Sequence, residues 1–312
     1  QNFTRLLLCL GLVAAGNASA QTFPDKPVRL VVGFAAGGST DKLARVLATR
    51  MTELLGQSVA VDNRPGAAGN LAAEVVAAAP PDGYTLFMST VSSQAINPHL
   101  YKLRVDPIKA FEPVALVAKY PLLLVVPQQL RVNSVPELVA YAKSNPGKTF
   151  FASSGSGSPA HLAGELFKGI AGVDVQHVPY RGGGPAMLAL MSNEAQFGFE
   201  TIPSAIGHAR SGKLKGLGVT SDRRSPAVPE LPTMLEAGLK GFSVTSWAGL
   251  VAPAGTPRAV VTRLAQATQA AIDSPSVGAA LSSDGAEPGS GSPADFGRFM
   301  QEELKAWAEV VK

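Results

Sequence analysis

The chain has 312 residues, of which 46% are hydrophobic and 16% are charged, and its formal net charge at pH 7 is +4. A chain of this length predicts about two domains, and the apolar fraction is sufficient for a substantial core in each. No run of basic residues stands out, so nucleic acid is not expected as a partner. The small positive net charge is compatible with a small anionic ligand.

Residues 1–20 have the pattern of a secretory signal peptide. Arg5 precedes an apolar stretch over residues 6–15, and Ala18-Ser19-Ala20 forms a small-residue cleavage site. The apolar stretch is too short to span a bilayer, so we expect export with cleavage after Ala20. Cys9, the only cysteine, lies inside this segment, and lipidation there is the weaker alternative. The mature chain is therefore expected to hold neither a disulfide nor a thiolate metal site.

The mature chain opens with a strand, a glycine-containing turn and a helix. The apolar run over residues 28–34 predicts a buried strand. Apolar residues at helical spacing over residues 43–55 predict a helix that ends at Gly56. The turn between them has the sequence Ala35-Ala36-Gly37-Gly38-Ser39-Thr40-Asp41. The N-terminus of the first helix is therefore predicted within this turn.

The two glycines of this turn favour an anion site. Gly37 and Gly38 place bare backbone at the mouth of a helix, where free N–H groups and the helix dipole attract negative charge. We expect Ser39 or Thr40 to be the N-cap residue, and we expect a positive φ at Gly38. The alternative is a plain strand-to-helix turn in which the glycines only reverse the chain.

Beyond this helix the chain alternates between predicted strands and helices. The predicted strands cover residues 58–61, 84–88, 121–127, 148–152, 174–178, 196–199, 215–220 and 242–250. The predicted helices cover residues 71–79, 134–144, 159–170, 185–191, 257–272 and 293–311, with shorter ones that end near 97 and 212. This alternation predicts an α/β fold with parallel strands joined by right-handed crossovers.

Two of the predicted strands are interpreted as crossings between lobes. The strand at 121–127 is apolar and bracketed by prolines, and the pattern of strands and helices restarts after it. The strand at 242–250, with Trp247 near its middle, is interpreted as the return crossing. The expected organisation is a signal peptide at 1–20, a first lobe formed by 21–122 plus 245–312, and a second lobe formed by 123–244.

Small, polar or glycine residues recur in five predicted strand-to-helix turns. The turns cover residues 37–40, 89–93, 153–158, 182–184 and 201–204. Turns at the carboxyl ends of parallel strands line the ligand crevice, so all five can open on one cleft. A hydrogen bond to a charged group contributes about 1.5–3 kcal/mol and a micromolar complex needs about 8 kcal/mol. A few such turns can therefore bind a carboxylate without an arginine clamp.

Residues typical of catalysis are few. The four histidines form no H-E-x-x-H pattern and no pair with a nearby carboxylate at ligand spacing, so no metal site is expected. The serine-rich turn at 153–158 lacks the G-x-S-x-G nucleophile elbow. The segment 207–214 resembles a phosphate-binding loop, but Leu214 replaces the magnesium-binding residue, so we interpret the segment as a helix end. A hydrolase that uses a serine of 153–158 with His161 is the enzymatic alternative.

Four further side chains at the predicted turns have roles that the sequence leaves open. His161 lies on the first turn of its helix, where a hydrogen bond to a ligand or to the turn is expected rather than acid–base catalysis. Asp41 and Glu200 can each cap their own turn, or contact a ligand amine or a bridging water. Arg181 is the one basic residue inside a predicted turn, and it can add a partner for an anion.

Seven segments, spread in order along the mature chain, carry a family resemblance. They read PDKPVRLVV at 24–32, GGSTD at 37–41, NRPGAAGN at 63–70, SSGSGSPAHL at 153–162, PYRG at 179–182, WAGLVAPAGTP at 247–257 and SPADF at 292–296. In these segments the chain resembles the Bug proteins, which are periplasmic solute-binding components associated with tripartite tricarboxylate transporters. Because the segments span the whole mature chain in order, the resemblance is specific.

The resemblance implies a Venus flytrap like that of type II periplasmic binding proteins, with two α/β lobes and a ligand cleft between them. It implies a small mono- or dicarboxylate ligand, held largely by backbone amides and ordered water, and no enzymatic activity, cofactor or metal. The implied partner is a membrane transporter of the tripartite tricarboxylate type, which the protein serves as a monomer in the periplasm. The alternative is a sensor subunit that reports carboxylate occupancy to a membrane kinase.

The turns and the resemblance together give a set of expected ligand-binding residues. These residues are Phe34, Ala36, Gly37, Gly38, Ser39, Asp41, Ser92, Ser153, Ser154, Gly155, Ser158, His161, Gly183 and Glu200. Two departures from the family pattern bear on this set. Family members often carry proline where Ala35 and Ala36 stand, so the first turn is expected to be less rigid. Aspartate is more usual than Glu200, and the extra methylene group can narrow the pocket.

Overall fold

The computed structural model of the protein describes residues 23–283 and 285–311. The expected signal peptide, its cleavage site after Ala20 and Cys9 therefore lie outside the described residues. None of the helices in the two described ranges combines the length and the apolar character that a bilayer crossing demands.

Strands and helices alternate along most of the described chain. The strands are β1 (Val28–Val32), β2 (Val59–Asn63), β3 (Thr85–Thr90), β4 (Phe111–Pro127), β5 (Phe150–Ser153), β6 (Gln176–Pro179), β7 (Phe197–Thr201), β8 (Leu214–Val219), β9 (Thr245–Pro253) and β10 (Glu287–Pro288). The α-helices are α1 (Ser39–Leu55), α2 (Asn70–Ala77), α3 (Asn97–Leu100), α4 (Val135–Ser144), α5 (Pro159–Ala171), α6 (Gly183–Met191), α7 (Ile202–Arg210), α8 (Arg258–Ile272), α9 (Pro275–Ser283) and α10 (Pro293–Val311). A 3-10 helix at Ala67–Gly69 and a π-helix at Ser92–Ile96 precede α2 and α3.

Glycine signals in the sequence correctly located two helix ends. α1 ends at Gly56, which has the left-handed φ of 70° and donates its N–H to the Thr52 carbonyl. α7 ends before Gly212, which also has a φ of 70°, so the segment that resembles a phosphate-binding loop is a helix end. The sequence prediction missed α9, which is short and rich in small residues, and β10, which has only two residues.

The strands pair in the order β2-β1-β3-β9-β4-β7-β5-β6, and β8 and β10 also pair with β4. Parallel pairs occur in two groups, β1 with β2 and β3, and β5 with β6 and β7. β4 and β9 run antiparallel to each other and to their other neighbours. The parallel pairing predicted from the alternation of strands and helices is therefore present within each group, whereas the two strands that connect the groups run in opposite directions.

The strand β4 passes from one group of strands into the other. Up to Pro121 it pairs with β9, and from Leu122 onward it pairs with β7 and β8. Pro121 stands where the pairing changes, a position at which a missing N–H costs the sheet little. The crossing strand predicted at 121–127 is only the second part of β4. The first part was missed because Glu112 and Lys119 interrupt its apolar pattern.

Helices cover both faces of the sheet, and the buried side chains form three clusters. In the first lobe, Leu47 of α1 packs in one cluster with Leu30 of β1. The opposite face holds a cluster that contains Phe87 and continues into the second lobe as far as Phe197. The third cluster lies in the second lobe and includes Leu123 of β4. Apolar packing on one face is therefore continuous between the lobes.

Thr220 joins the two segments that cross between the lobes. Its N–H donates to the Leu122 carbonyl at 3.0 Å, and its hydroxyl oxygen accepts the Leu122 N–H at 2.8 Å. The hydroxyl donates in turn to the Val244 carbonyl at 2.6 Å. Thr220 is fully buried, so these bonds have no water to replace them.

Replacing Thr220 with valine is expected to lower the free energy of unfolding by roughly 1–3 kcal/mol, because buried partners at both crossings lose their bonds. Urea unfolding measures the change. Thr49→Val is the matched control, since the Thr49 hydroxyl donates to the Arg45 carbonyl on an exposed helix face. Its effect is expected to stay within about 0.5 kcal/mol. Equal losses in the two variants would contradict the role of Thr220.

Candidate functional site

The turns after five strands meet in a cleft between the two lobes. The described residues enclose there a cavity of about 30 Å³, which we name the cleft cavity. Its lining residues are Phe34, Gly38, Ser39, Thr40, Thr90, Ser92, Tyr120, Ser154, Pro159, Gly183, Glu200, Thr201 and Ser246. Each of the five turns predicted from the sequence contributes at least one of them, because the carboxyl ends of β1, β3, β5, β6 and β7 face the cleft.

The two lobes contact each other directly beside the cleft cavity. The Ser39 N–H donates to Ser204 Oγ at 2.9 Å, and Lys42 Nζ donates to the Pro203 carbonyl at 3.0 Å. Ser39 and Lys42 belong to α1 of the first lobe, whereas Pro203 and Ser204 belong to α7 of the second. The protein itself therefore supplies hydrogen bonds between the lobes beside the cleft cavity.

Close approach of the two glycine turns depends on the absence of side chains. A Cβ on Gly38 would lie 3.5 Å from the Gly183 nitrogen, and a Cβ on Gly183 would lie 2.8 Å from both Glu200 Oε2 and Ser204 Oγ. The positive φ expected at Gly38 is wrong, because Gly38 has a φ of −79° and Gly37 has a φ of 88°. A Cβ on Gly184 would lie 3.2 Å from the Ala36 carbonyl oxygen, so the second turn permits the close contact across the cleft, and Gly37 permits the reversal of the chain.

Three helices begin at the cleft without a side-chain cap. Their N-cap residues are Gly38 for α1, Gly182 for α6 and Thr201 for α7, and none of the three makes a side-chain cap hydrogen bond. The expected cap by Ser39 or Thr40 is wrong, because both residues already lie inside α1. Each helix N-terminus favours an anion by roughly 0.3–1 kcal/mol, and by about 2 kcal/mol when partly buried. The cleft therefore favours negative charge without a basic side chain in its lining.

Four polar side chains of the cleft cavity carry atoms without a hydrogen-bond partner among the described residues. They are Thr90 Oγ1, Ser92 Oγ, Glu200 Oε1 and Thr201 Oγ1. A buried polar atom left unsatisfied costs about 1–3 kcal/mol, so native proteins rarely place several together. This concentration of unpaired atoms makes the cleft cavity the candidate ligand site.

Glu200 lies at the end of β7 and is 2% exposed. Burial raises the pKa of Glu200 to about 7, and hydrogen bonds from Ser154 and from the Thr201 backbone offset only part of this effect. Of the two carboxylates that the sequence singled out, Glu200 is the one that lines the cavity. Its unpaired oxygen is available to a ligand or a bridging water.

Asp41 has a structural role and does not line the cavity. Its Oδ2 accepts the Gly37 N–H and Arg45 Nε, both at 3.0 Å, and its Oδ1 accepts Asn63 Nδ2 at 3.0 Å. Burial raises the pKa of Asp41, but the hydrogen bonds from these three residues outweigh it, so the pKa lies below its ordinary value. Asp41 therefore stays ionised and stabilises the turn of its own helix.

Three more of the expected ligand-binding residues form a layer behind the cavity. Ser158 caps α5 by accepting the His161 N–H at 3.2 Å, and His161 Nδ1 accepts the Gly157 N–H at 3.3 Å. His161 stacks on His177 with ring centroids 4.1 Å apart, and His177 Nε2 lies 2.6 Å from Ser153 Oγ. Burial lowers the pKa of His177 to about 4.

The serine–histidine pair of the hydrolase alternative differs from the one expected. Ser153 is fully buried and hydrogen-bonds to His177, whereas His161 bonds to the backbone of its own turn. Neither Ser153 nor His161 lines the cleft cavity. The arrangement holds the serine-rich turn in place, and it offers no exposed nucleophile. Within the two described ranges, no group of three or more His, Cys, Asp or Glu side chains could hold a metal ion.

A wider opening of about 250 Å³, which we name the outer mouth, lies beside the cleft cavity. Phe34 and Ser154 line both spaces, and Gly155 and Arg181 line the outer mouth. The other expected residues at this side, Ala36 and Gly37, are exposed and line neither space. The outer mouth thus connects the shared residues of the cleft cavity to the surface of the protein.

Six residues of the cavity lining were absent from the set expected from the sequence. They are Thr40, Thr90, Tyr120, Pro159, Thr201 and Ser246. Thr40, Thr90 and Thr201 lie within the predicted turns, and this position could have identified them as lining residues. Tyr120 and Ser246 face each other in the pairing of β4 with β9, and only that long-range pairing brings them to the cavity.

The fold and the cleft define a solute-binding protein with two α/β lobes. The family model described as "Tripartite tricarboxylate transporter family receptor" (TctC) matches residues 43–312. The chain belongs to this family.

Similar proteins cover nearly the whole chain. Protein BugT of Bordetella pertussis is 37% identical over 319 residues, which cover 100% of this chain and 98% of that protein. The structure of R. palustris Rpa4515 with adipate has a TM-score of 0.90 at 40% identity and covers 92% of this chain and 97% of that chain. MatC (Rpa3494) from Rhodopseudomonas palustris with bound malate has a TM-score of 0.89 at 36% identity and covers 93% of this chain and 100% of that chain. These similarities confirm the predicted family and fold.

The buried carboxyl group of Glu200 makes stability depend on pH. Its pKa is about 7 in the folded protein against an ordinary value of 4.5, so the folded state keeps this proton to a higher pH than the unfolded chain. Stability is therefore expected to fall as pH rises between these two values, by roughly 3 kcal/mol in total. Glu200→Gln should match the wild type near pH 5 and exceed it near pH 8, as measured by urea unfolding.

Glu230→Gln is the control for this prediction, because Glu230 is exposed. Its stability should follow that of the wild type at both pH values. The prediction is wrong if the difference in stability between the wild type and Glu200→Gln is the same at about pH 5 and about pH 8. Glu200 would then be ionised in the folded protein throughout this range.

Proposed function

We propose that the protein is a periplasmic receptor that captures a small mono- or dicarboxylate for a membrane transporter of the tripartite tricarboxylate type. The observation that carries this proposal is the cleft cavity, where three uncapped helix N-termini meet four buried polar atoms without partners among the described residues. Rpa4515 with adipate and MatC with bound malate support the ligand class. The signal peptide expected at residues 1–20 supports the location.

Main-chain amides and hydroxyl groups would supply most of the contacts with the carboxylate. The proposed contact residues are Phe34, Gly38, Ser39, Ser92, Ser154, Gly183 and Glu200, all of which line the cleft cavity. Each hydrogen bond to a charged group contributes about 1.5–3 kcal/mol. Three such bonds together with the helix dipoles are sufficient for micromolar affinity, which corresponds to about 8 kcal/mol.

Entry of the ligand requires the lobes to separate. A cavity of about 30 Å³ has room for about two water molecules, which is less than a dicarboxylate occupies. The lobes that we propose to move consist of residues 21–122 plus 245–312 and residues 123–244. Motion about two connecting strands is the usual hinge mechanism of such proteins, and it leaves the core of each lobe intact.

A thermal-shift and calorimetry experiment with malate and adipate tests the proposed ligand class. A ligand present at 100 times its Kd is expected to stabilise the protein by about 2.7 kcal/mol. Adipamide, which has the length of adipate without its charge, is the matched control and should produce no shift. If neither acid stabilises the protein at any concentration, or if the diamide acts as well as the acid, the carboxylate assignment is wrong.

Gly38→Val is expected to weaken malate or adipate binding at least about tenfold, which corresponds to about 1.4 kcal/mol. The branched side chain would enter the gap in front of the Gly183 nitrogen, which lies 3.5 Å from a Cβ at this position. Gly207→Val is the matched control, because a Cβ there meets no atom within 4 Å. Calorimetry measures both affinities, and an unchanged value for Gly38→Val would show that this turn does not face the ligand.

A further inference from the structure

We propose that Glu200 holds a proton when a carboxylate occupies the cleft cavity, so that the protein takes up the carboxylate and one proton together. The inference rests on the proposed function, because it requires a carboxylate in this cavity. It gives Glu200 a specific role, which is to match the charge of the site to that of an anionic ligand.

The geometry leaves the Glu200 carboxyl group without a cation in the cavity. Its side chain is 2% exposed, and its Oε1 has no partner among the described residues. The lining residues include no lysine, arginine or histidine. Asp41 is comparably buried, at 3% exposed, but pairs with the Arg45 guanidinium at 2.9 Å. Glu200 is thus the buried carboxyl group of the cleft whose charge is not compensated.

Groups on the elements around Glu200 do not neutralise it. Tyr120 lines the cavity from β4, and burial raises its pKa to about 12, so it stays uncharged. On α1, the Lys42 ammonium group donates to the Pro203 carbonyl outside the cavity lining. On the turn between β6 and α6, the Arg181 side chain is exposed and belongs to the outer mouth.

The histidines on the neighbouring elements all have a pKa below the ordinary value. On α5, burial lowers the pKa of His161, whose Nδ1 accepts the Gly157 N–H. Behind it, burial lowers the pKa of His177 to about 4. On α7, burial and then two nearby lysines lower the pKa of His208. The titratable group that responds to charge in the cavity is therefore Glu200 itself.

An entering carboxylate brings a second negative charge next to Glu200. Two carboxylates in one buried site do not both stay ionised, and the pKa of one of them rises strongly. Burial already raises the pKa of Glu200 to about 7 before the second charge arrives. The proton comes from solvent and binds to Glu200, whose O–H then donates to a carboxylate oxygen of the ligand. No covalent bond of the ligand forms or breaks.

A ligand with an ammonium group would produce the opposite behaviour. The ammonium would pair with ionised Glu200, and its binding would strengthen as pH rises through the pKa of Glu200. The three helix N-termini at the cleft favour an anion over a cation. The surroundings of Glu200 therefore favour the binding of a carboxylate together with one proton over the binding of an ammonium group.

Calorimetry with adipate and malate between about pH 6.5 and about pH 8.5 tests the proposal. The carboxyl groups of both probes titrate below this range, so both probes are ionised throughout it. Uptake of one proton is expected to raise Kd about tenfold per pH unit above the pKa of Glu200. Titrations in two buffers of different ionisation enthalpy count the protons, and one proton per bound probe is expected at the upper end of the range.

Glu200→Gln should bind both probes without a pH slope and without proton uptake, because its amide donates a hydrogen bond at every pH. Glu200→Asp should keep the slope, and the exposed control Glu230→Gln should behave like the wild type. A pH-independent Kd in the wild type, or a slope that persists in Glu200→Gln, would overturn the proposal and leave carboxylate binding intact. Failure of the wild type and Glu200→Gln to bind either probe at any pH would overturn the proposed function, and this inference with it.

Discussion

The antiparallel pairing of β4 with β9 is the constraint on which both lobes depend. β4 is paired with β9 up to Pro121 and then continues into the second lobe, where β7 and β8 pair with it. Tyr120 and Ser246 are partners in this pairing, and both line the cleft cavity. Thr220 ties the same crossing together from the second lobe. The strands that connect the lobes therefore also form part of the floor of the candidate site.

The cleft achieves its preference for negative charge through the main chain. The N-terminal ends of three helices provide this preference, and Gly184, where a Cβ would lie 3.2 Å from the Ala36 carbonyl oxygen, allows two of those ends to approach each other. Recognition of this kind depends on the carboxylate group rather than on the rest of the molecule, which is compatible with the two similar structures that contain adipate and malate. Glu200 is the exception, since it is the carboxyl side chain in the lining.

Local patterns in the sequence were sufficient for the family, for most element bounds and for the five turns, because each of these features depends on neighbouring residues. The roles of Asp41 and Glu200 could not be separated in this way. Asp41 pairs with Arg45 one helical turn later, and the sequence spacing could have suggested this pair. Its hydrogen bond with Asn63 of β2 could not be inferred from spacing. Tyr120 and Ser246 are 126 positions apart in the chain, and only the strand register brings them together.

The bonds from α1 to α7 have a consequence for how a partner would distinguish an empty receptor from a loaded one. Because the Ser39 N–H and the Lys42 ammonium group reach across the cleft to protein acceptors, the protein itself makes part of the contact between the lobes. A partner that recognised only these bonds would not distinguish a loaded receptor from one without ligand. The cleft cavity, at about 30 Å³, is smaller than the proposed dicarboxylate, so such a ligand would increase the distance between the lobes at the cavity. A partner that recognised the spacing between the lobes, rather than the bonds from α1 to α7, would then distinguish the loaded receptor.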